Sequence, residues 1–468
     1  RHPQDRFNYR DLSQPVPWTE YNTYRKKFGD EYVFHIFDDQ GLPTYETYND
    51  KDEKCTVLPE GYSILPFFPG YTYYDGKSVY LDSFIGEGGR VYSEPGIYGN
   101  VWDGDVSSMH PHSVISEVIF GAEYTKRFEE LVDIRVLIKH GDYEHAKKMM
   151  GGALAKYLND ESQANDLAKA LKIAINSVYG LTSASFDNPF RDLRNVDNIV
   201  AKRGALFMTL LKNEVQKRGF TVCHIKTDSI KIPDATEEIC NFVINFGREY
   251  GYEFETEANF EKFCLVNDAV FVAKFKDGKN AGKWTATGTQ FQIPYVFKTL
   301  FSKEDIVFDD MCETKSVSTA LYLDMNEDLP DVSELEKEVE NCKKMEKEAD
   351  FDNLLMEISK GHAYRFIGKV GRFCPIKPGC GGGLLMREKD GKYYAATGTK
   401  GYRWMESEMV RELGKEADID QAYYKKLVDD AELCIEMLGD FEWFVSDDPY
   451  EGPIFVDGKP IYSEEVPF

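Results

Sequence analysis

Lys172-Ile-Ala-Ile-Asn176-Ser177-Val-Tyr179-Gly180 ends a run from Leu167 whose apolar residues recur at helical spacing. In a helix, Lys172, Asn176 and Tyr179 stand at i, i+4 and i+7, so a cation, an amide and an aromatic ring share one face. Such a face can hold a triphosphate, a base and a sugar. It can equally be a solvated lysine beside an inward-packed tyrosine. Upstream, Phe128, Leu131, Val132, Arg135, Val136 and Lys139 also repeat at helical spacing, and His140-Gly141-Asp142 breaks that run. Residues 125–180 therefore read as a helical hairpin set into a β-rich region.

Two acidic segments flank the hairpin. Val101-Trp-Asp-Gly-Asp105-Val-Ser-Ser108-Met-His110-Pro111 reads as a strand ending in a carboxylate, then a Ser-rich turn and a proline able to open a helix. A carboxylate so placed can face a hard cation while the following amides face an anion, although Asp plus Ser at a strand end is common. In Thr221-Val-Cys-His224-Ile225-Lys226-Thr227-Asp228-Ser229-Ile-Lys-Ile232, two β-rich runs, 220–225 and 229–232, flank a polar apex. That is a hairpin with Asp228 at its tip, or an ordinary surface turn.

The chain of 468 residues allows two to four domains. Its 56 Lys and Arg against 81 Asp and Glu give a net charge of −25, which read whole argues against a general nucleic-acid binder. Locally the sign reverses. Residues 165–231 hold 11 basic and 6 acidic residues, a net of +5, and residues 361–403 hold 9 and 2, a net of +7. Both islands carry aromatics, the mixture that grips a phosphate backbone and base faces, or else a plain solvated surface. The acidic run Asp324 to Glu340 reads as a solubilising face rather than a partner-binding helix.

Further readings are coarser. Nine cysteines without a CxxC pair point to reduced thiols and a cytosolic setting. Apolar runs such as Ile64 to Phe68 fall far short of the ~20 residues of a membrane span, and the polar start RHPQDRFNYR is no signal peptide. A strand is expected over Trp284 to Gln292, and helices over Ser333 to Lys347 and Met405 to Leu413. Asp38-Asp39 reads as a turn.

Taken together, the three motif segments resemble motifs A, B and C of family B DNA polymerases, in the family's order, with the likeness closest to bacteriophage members. The patterns DxxSLYP, KxxxNSxYG and DTDS appear as DVSSMHP, KIAINSVYG and KTDS. The resemblance implies an α+β right-hand polymerase with an antiparallel-sheet palm, a helical fingers hairpin and a mixed thumb. Its expected divisions are a β-rich segment at 1–90, palm at 91–120 and 181–300, fingers at 121–180, and thumb and C-terminal region at 301–468. The implied reaction is template-directed DNA synthesis from dNTPs on a primer 3′-hydroxyl, with two Mg²⁺ ions for which Mn²⁺ can substitute.

By the same resemblance, Asp105, Asp228 and the Val106 carbonyl hold the metals. Ser107, Ser108, Met109, His110, Arg135, Lys139, Lys172, Asn176 and Tyr179 bind the dNTP, with the amides of 107–110 completing a phosphate cradle. Thr227, Phe271, Lys274 and Gly288 meet the DNA primer, and the 361–403 island meets duplex. Expected partners are primer-template DNA, dNTP, and an exonuclease domain or replisome proteins outside this chain. A membrane is not among them, and the expected location is cytoplasmic, the host cytoplasm for a phage-encoded chain.

The sequence departs from the family at two positions. His110 stands where a tyrosine excludes a ribose 2′-hydroxyl, and Lys226 replaces the first aspartate of motif C. Lys226 is expected to pair with Asp103 or a DNA phosphate. These departures leave open a catalytically lapsed DNA-binding subunit. An RNA-templated polymerase is a third reading, which motif B disfavours.

Overall fold

Gly96–Val106 is buried along nearly its whole length because layers pack on it from both sides. In the computed structural model, Trp102 and Val106 join a core built with Leu206 and Phe207 of the helix Ile199–Lys217, while Tyr98 and Val101 join Phe260 and Phe263. The structure describes residues 68, 72–74, 77–86, 88–116, 121–184, 199–326 and 361–452, with strand segments at 16–17, 45–48, 54–57, 454–456 and 459–461. The readings on Asp38-Asp39, on Ser333 to Lys347 and on the acidic run after Asn326 lie outside them. Two compact units divide the chain, one of residues 1–282 and 448–468, the other of residues 283–447. The division thus precedes the expected 300/301 boundary, and the last residues return to the first unit.

In the first unit the elements run β1 (Val91–Ser93), β2 (Gly96–Val106), α1 (Met109–Ser116), α2 (Gly121–Lys139), α3 (Glu161–Ser183), α4 (Ile199–Lys217), β3 (His224–Lys226), β4 (Ser229–Ile232), α5 (Glu237–Glu249), β5 (Phe254–Asn267) and β6 (Val270–Phe275). These strands make an antiparallel sheet in the order β6-β5-β2-β4-β3-β1. Gly141, at φ 78°, follows the end of α2. Asp160 caps α3, its Oδ1 accepting from the Gln163 amide at 2.8 Å. The hairpin is thus bounded by the turn and cap chemistry its sequence carries.

The second unit has an antiparallel sheet of β7 (Glu313–Asp324), β8 (Tyr364–Ile376), β9 (Leu384–Lys389), β10 (Lys392–Ala395) and β11 (Arg403–Glu406), in the order β10-β9-β7-β8-β11. Its core holds Leu321, Leu323, Phe373 and Trp404 with Tyr423 and Tyr424 of α6 (Gln421–Glu436). Mixed helix and antiparallel sheet is therefore the class of both units.

Three element readings need correction. Of the expected 220–225 run only His224 and Ile225 are in a strand, which continues to Lys226. The expected strand at Trp284 stops at Ala286, because Gly288 at φ 90° turns the backbone into the helix Thr289–Gln292. Met405 lies on β11 opposite Cys374, so the helix there starts only at Ser407. No helix among the described residues is long and apolar enough to cross a membrane.

Candidate active-site cleft

Asp105, one residue from the end of β2, stands opposite Ser229 on β4. Asp228 occupies the two-residue turn between β3 and β4, as the polar apex of that hairpin predicts. One backbone bond ties the two segments, the Val106 amide donating to the Asp228 carbonyl at 2.8 Å, and another, from the Thr227 amide to the Arg90 carbonyl at 2.8 Å, anchors the Asp228 turn to the residue before β1. The turn after β2 and the turn that bears Asp228 each contain a non-glycine residue in the left-handed region, Ser108 at φ 59° and Thr227 at φ 56°. Such conformations cost about 1–3 kcal/mol and persist where surrounding bonds enforce them. Gly104 separates Asp103 from Asp105 because a Cβ there would lie 2.2 Å from the Trp102 ring.

The electrostatics mark these acids as short of positive charge. Burial, then the charges of Asp228, Asp103 and Glu257, push the Asp105 carboxyl up to about 7. Burial raises Asp228 as well. Among the described residues, no lysine or arginine forms an ion pair with either. One strand repeat further in, Lys231 Nζ lies 2.9 Å from Asp103 Oδ2, both side chains less than a tenth exposed. The expected pairing of Lys226 with Asp103 is therefore replaced by Lys231, the residue that cross-strand register puts opposite Asp103. Lys226 is exposed.

A cleft of about 390 Å³ opens beside these acids, lined by Asp105, Val106, Ser108, Met109, His110, Pro111, Arg135, Lys172, Asn176, Tyr179 and Asp228. Arg135 Nη1 donates to Ser108 Oγ at 3.1 Å, joining α2 to the turn after β2. The His110 ring stacks on Tyr179, with centroids 4.4 Å apart and planes 10° from parallel. Burial lowers the His110 pKa, which favours neutral imidazole for this stack. Lys172 and Asn176 are exposed on α3.

Other expected site residues lie elsewhere. The Ser107 amide donates to the Glu253 carbonyl at 2.8 Å, which removes it from the phosphate cradle expected of 107–110. Lys139 does not line the cleft; its Nζ sits 2.6 Å from Glu255 Oε2. Phe271 stacks on Phe263 at 4.9 Å within an apolar cluster, and Lys274 is largely buried, 3.8 Å from Glu261. Thr227 shapes the Asp228 turn, and Gly288 belongs to the second unit. Lys231 and Glu255 were missed because no motif marks them. They stand opposite Asp103 and Asp105 of β2 in sheet register, a signal visible only once the strands are paired.

Among the described residues no three His, Cys, Asp or Glu side chains converge as a metal cage. The two cleft carboxylates suit a cation that takes one or two acids and completes its shell with substrate oxygens and water, as Mg²⁺ does. No protein-family model matches the sequence, and no curated protein matches it. Among solved structures, the family B DNA polymerase from the hyperthermophilic archaeon Pyrobaculum calidifontis is similar at 14% identity with a TM-score of 0.40. The match covers 75% of this chain and 47% of that one, so it spans about half of that polymerase.

Proposed function

We propose that the chain is a DNA polymerase of the family B type, akin to the bacteriophage members, transferring a nucleotidyl group from dNTP to a primer 3′-hydroxyl on a DNA template. The observation that carries this reading is the cleft: residues from four segments far apart in sequence line one cavity, acids from a strand end and a hairpin turn, cations and an amide from the two long helices. Phosphoryl transfer asks little covalent chemistry of a protein and much positioning of charge, which is what this set supplies. In the right-hand reading, the sheet of the first unit is palm, α2 and α3 are fingers, and the second unit is thumb.

Asp105, Asp228 and the Val106 carbonyl would hold two Mg²⁺ or Mn²⁺ ions. Bound there, the metal supplies activation of the 3′-hydroxyl and charge stabilisation for departing pyrophosphate. Arg135 and Lys172 bind the β- and γ-phosphates, and Asn176 and Tyr179 orient the nucleotide over His110, which lies under the sugar. The exposed Lys226 leaves both cleft acids in place, which favours an active enzyme over a lapsed DNA-binding subunit. Primer-template DNA and dNTP are its partners, with the 361–403 island on the duplex.

Primer extension with Mg²⁺ tests the reading. Wild type extends, and Asp228→Asn loses at least about 10³-fold, the scale on which removing one preorganised charge acts. A wild-type chain that binds primer-template but extends nothing would assign the DNA-binding alternative instead.

A further inference from the structure

We infer that Glu255 is a positioning residue that competes with the incoming nucleotide's triphosphate for Lys139 and so sets nucleotide affinity. The inference rests on reading the cleft as a triphosphate site. Arg135 and Lys139 are one turn apart on α2, on the same side of the helix. Yet Arg135 reaches the cleft and Ser108, while Lys139 is turned to Glu255. Glu255 stands on β5 directly opposite Asp105, so the acid that draws Lys139 away sits beside the metal-binding strand. His140 Nε2 lies 3.7 Å from the other Glu255 oxygen, so two groups at the end of α2 converge on this one carboxylate.

The pair is built to exchange. Lys139 is half exposed and Glu255 a third exposed, and a lysine carries a compact charge on a flexible four-carbon stem. Exposed pairs of this kind change an equilibrium by at most about fivefold. A triphosphate in the cleft offers the same ammonium several oxygens of higher charge. Release from Glu255 is then the cost subtracted from each nucleotide-binding event, and it falls on binding rather than on the transfer step.

The test is a double-mutant cycle on the full chain with two readouts, tripolyphosphate affinity by calorimetry and steady-state primer extension. Glu255→Gln keeps shape and removes the competing charge. It is expected to tighten tripolyphosphate two- to fivefold and to lower the KM for dNTP by the same factor with kcat unchanged. In a Lys139→Gln background the same change should have no effect. Equal tightening with and without Lys139 would show a general field effect and overturn the inference, as would unchanged affinity or no binding in either protein. Tightening in a chain that extends no primer would sink the polymerase reading and leave the competition standing. A polymerase whose Glu255→Gln variant keeps wild-type KM and tripolyphosphate affinity would do the reverse.

Discussion

Asp103 and Asp105 lie two residues apart on one strand, on the same face and about 6.7 Å from each other, yet they are partnered differently. Asp103 is covered and faces Lys231 at 2.9 Å across the sheet. Asp105 borders the cleft with Asp228 as its neighbour and no described cation paired to it. The difference comes from the opposing strand, where β4 sets a lysine against the inner acid and a serine against the outer one. A carboxylate given a partner within the sheet is neutralised there, and one denied it faces the cleft uncompensated.

Breaking each half of this comparison should fail in a different way. Lys231→Met leaves Asp103 a buried, unpaired charge, and denaturant unfolding should show a loss of about 3–5 kcal/mol. Replacing both partners, as Asp103→Leu with Lys231→Met, should restore stability to near wild type. Asp105→Asn should do the opposite, abolishing extension while leaving the melting temperature equal or higher. An Asp105→Asn protein that melts early would show that its charge is structural after all.

The raised Asp105 pKa sharpens the contrast along a pH axis. Its folded value of about 7 lies above the unfolded value of about 3.9, so the folded state holds this proton more tightly. The resulting stability is present at low pH and is lost as pH rises from about 4 to about 7. Thermal melts should therefore show a downward slope over that window, smaller in Asp105→Asn. Added Mg²⁺ should flatten it in wild type, because a bound cation favours the ionised carboxylate.

Smaller effects are expected at His110 and Lys226. His110→Ala removes one face of the stack with Tyr179 and should relax discrimination against ribonucleotides by about tenfold in a competitive incorporation assay. Unchanged discrimination would remove His110 from sugar selection. Lys226→Ala takes away an exposed charge outside the cleft lining and should slow extension only about twofold. Complete loss would give Lys226 a direct part in catalysis.

Much of the hairpin was legible because its signals are local. Helical spacing and the break at His140-Gly141-Asp142 act over a few residues, and α2 ends where they put it, whereas α3 starts at Glu161, six residues before the expected Leu167, behind the cap at Asp160. Ser229–Ile232 was legible for the same reason, as β-branched residues beyond a polar turn. The stretch before His224 was not. Phe220 to Cys223 has strand composition, but among the described residues only Cys223 of it is bonded into the neighbouring strands' backbone. Near Trp284, one glycine at positive φ outweighs the β propensity on either side. At the cleft, residue types at helical spacing located Lys172, Asn176 and Tyr179, and the family resemblance added Arg135, whereas Lys139, Phe271 and Lys274 turned on contacts with Glu255, Phe263 and Glu261.

The sequence by itself determined which chemical groups are available and which share a helix face, because i, i+4 and i+7 follow from helix geometry alone. It also determined that basic islands of +5 and +7 sit inside a chain of net charge −25. Only the tertiary structure decided which charges cancel. Pairing of Asp103 with Lys231 joins residues 128 positions apart, and that of Lys139 with Glu255 spans 116. Neither is set by any local rule, since a one-residue change of strand register would move every opposing side chain to the other face of the sheet. The register leaves Asp105 and Asp228 as the uncompensated pair beside the cleft.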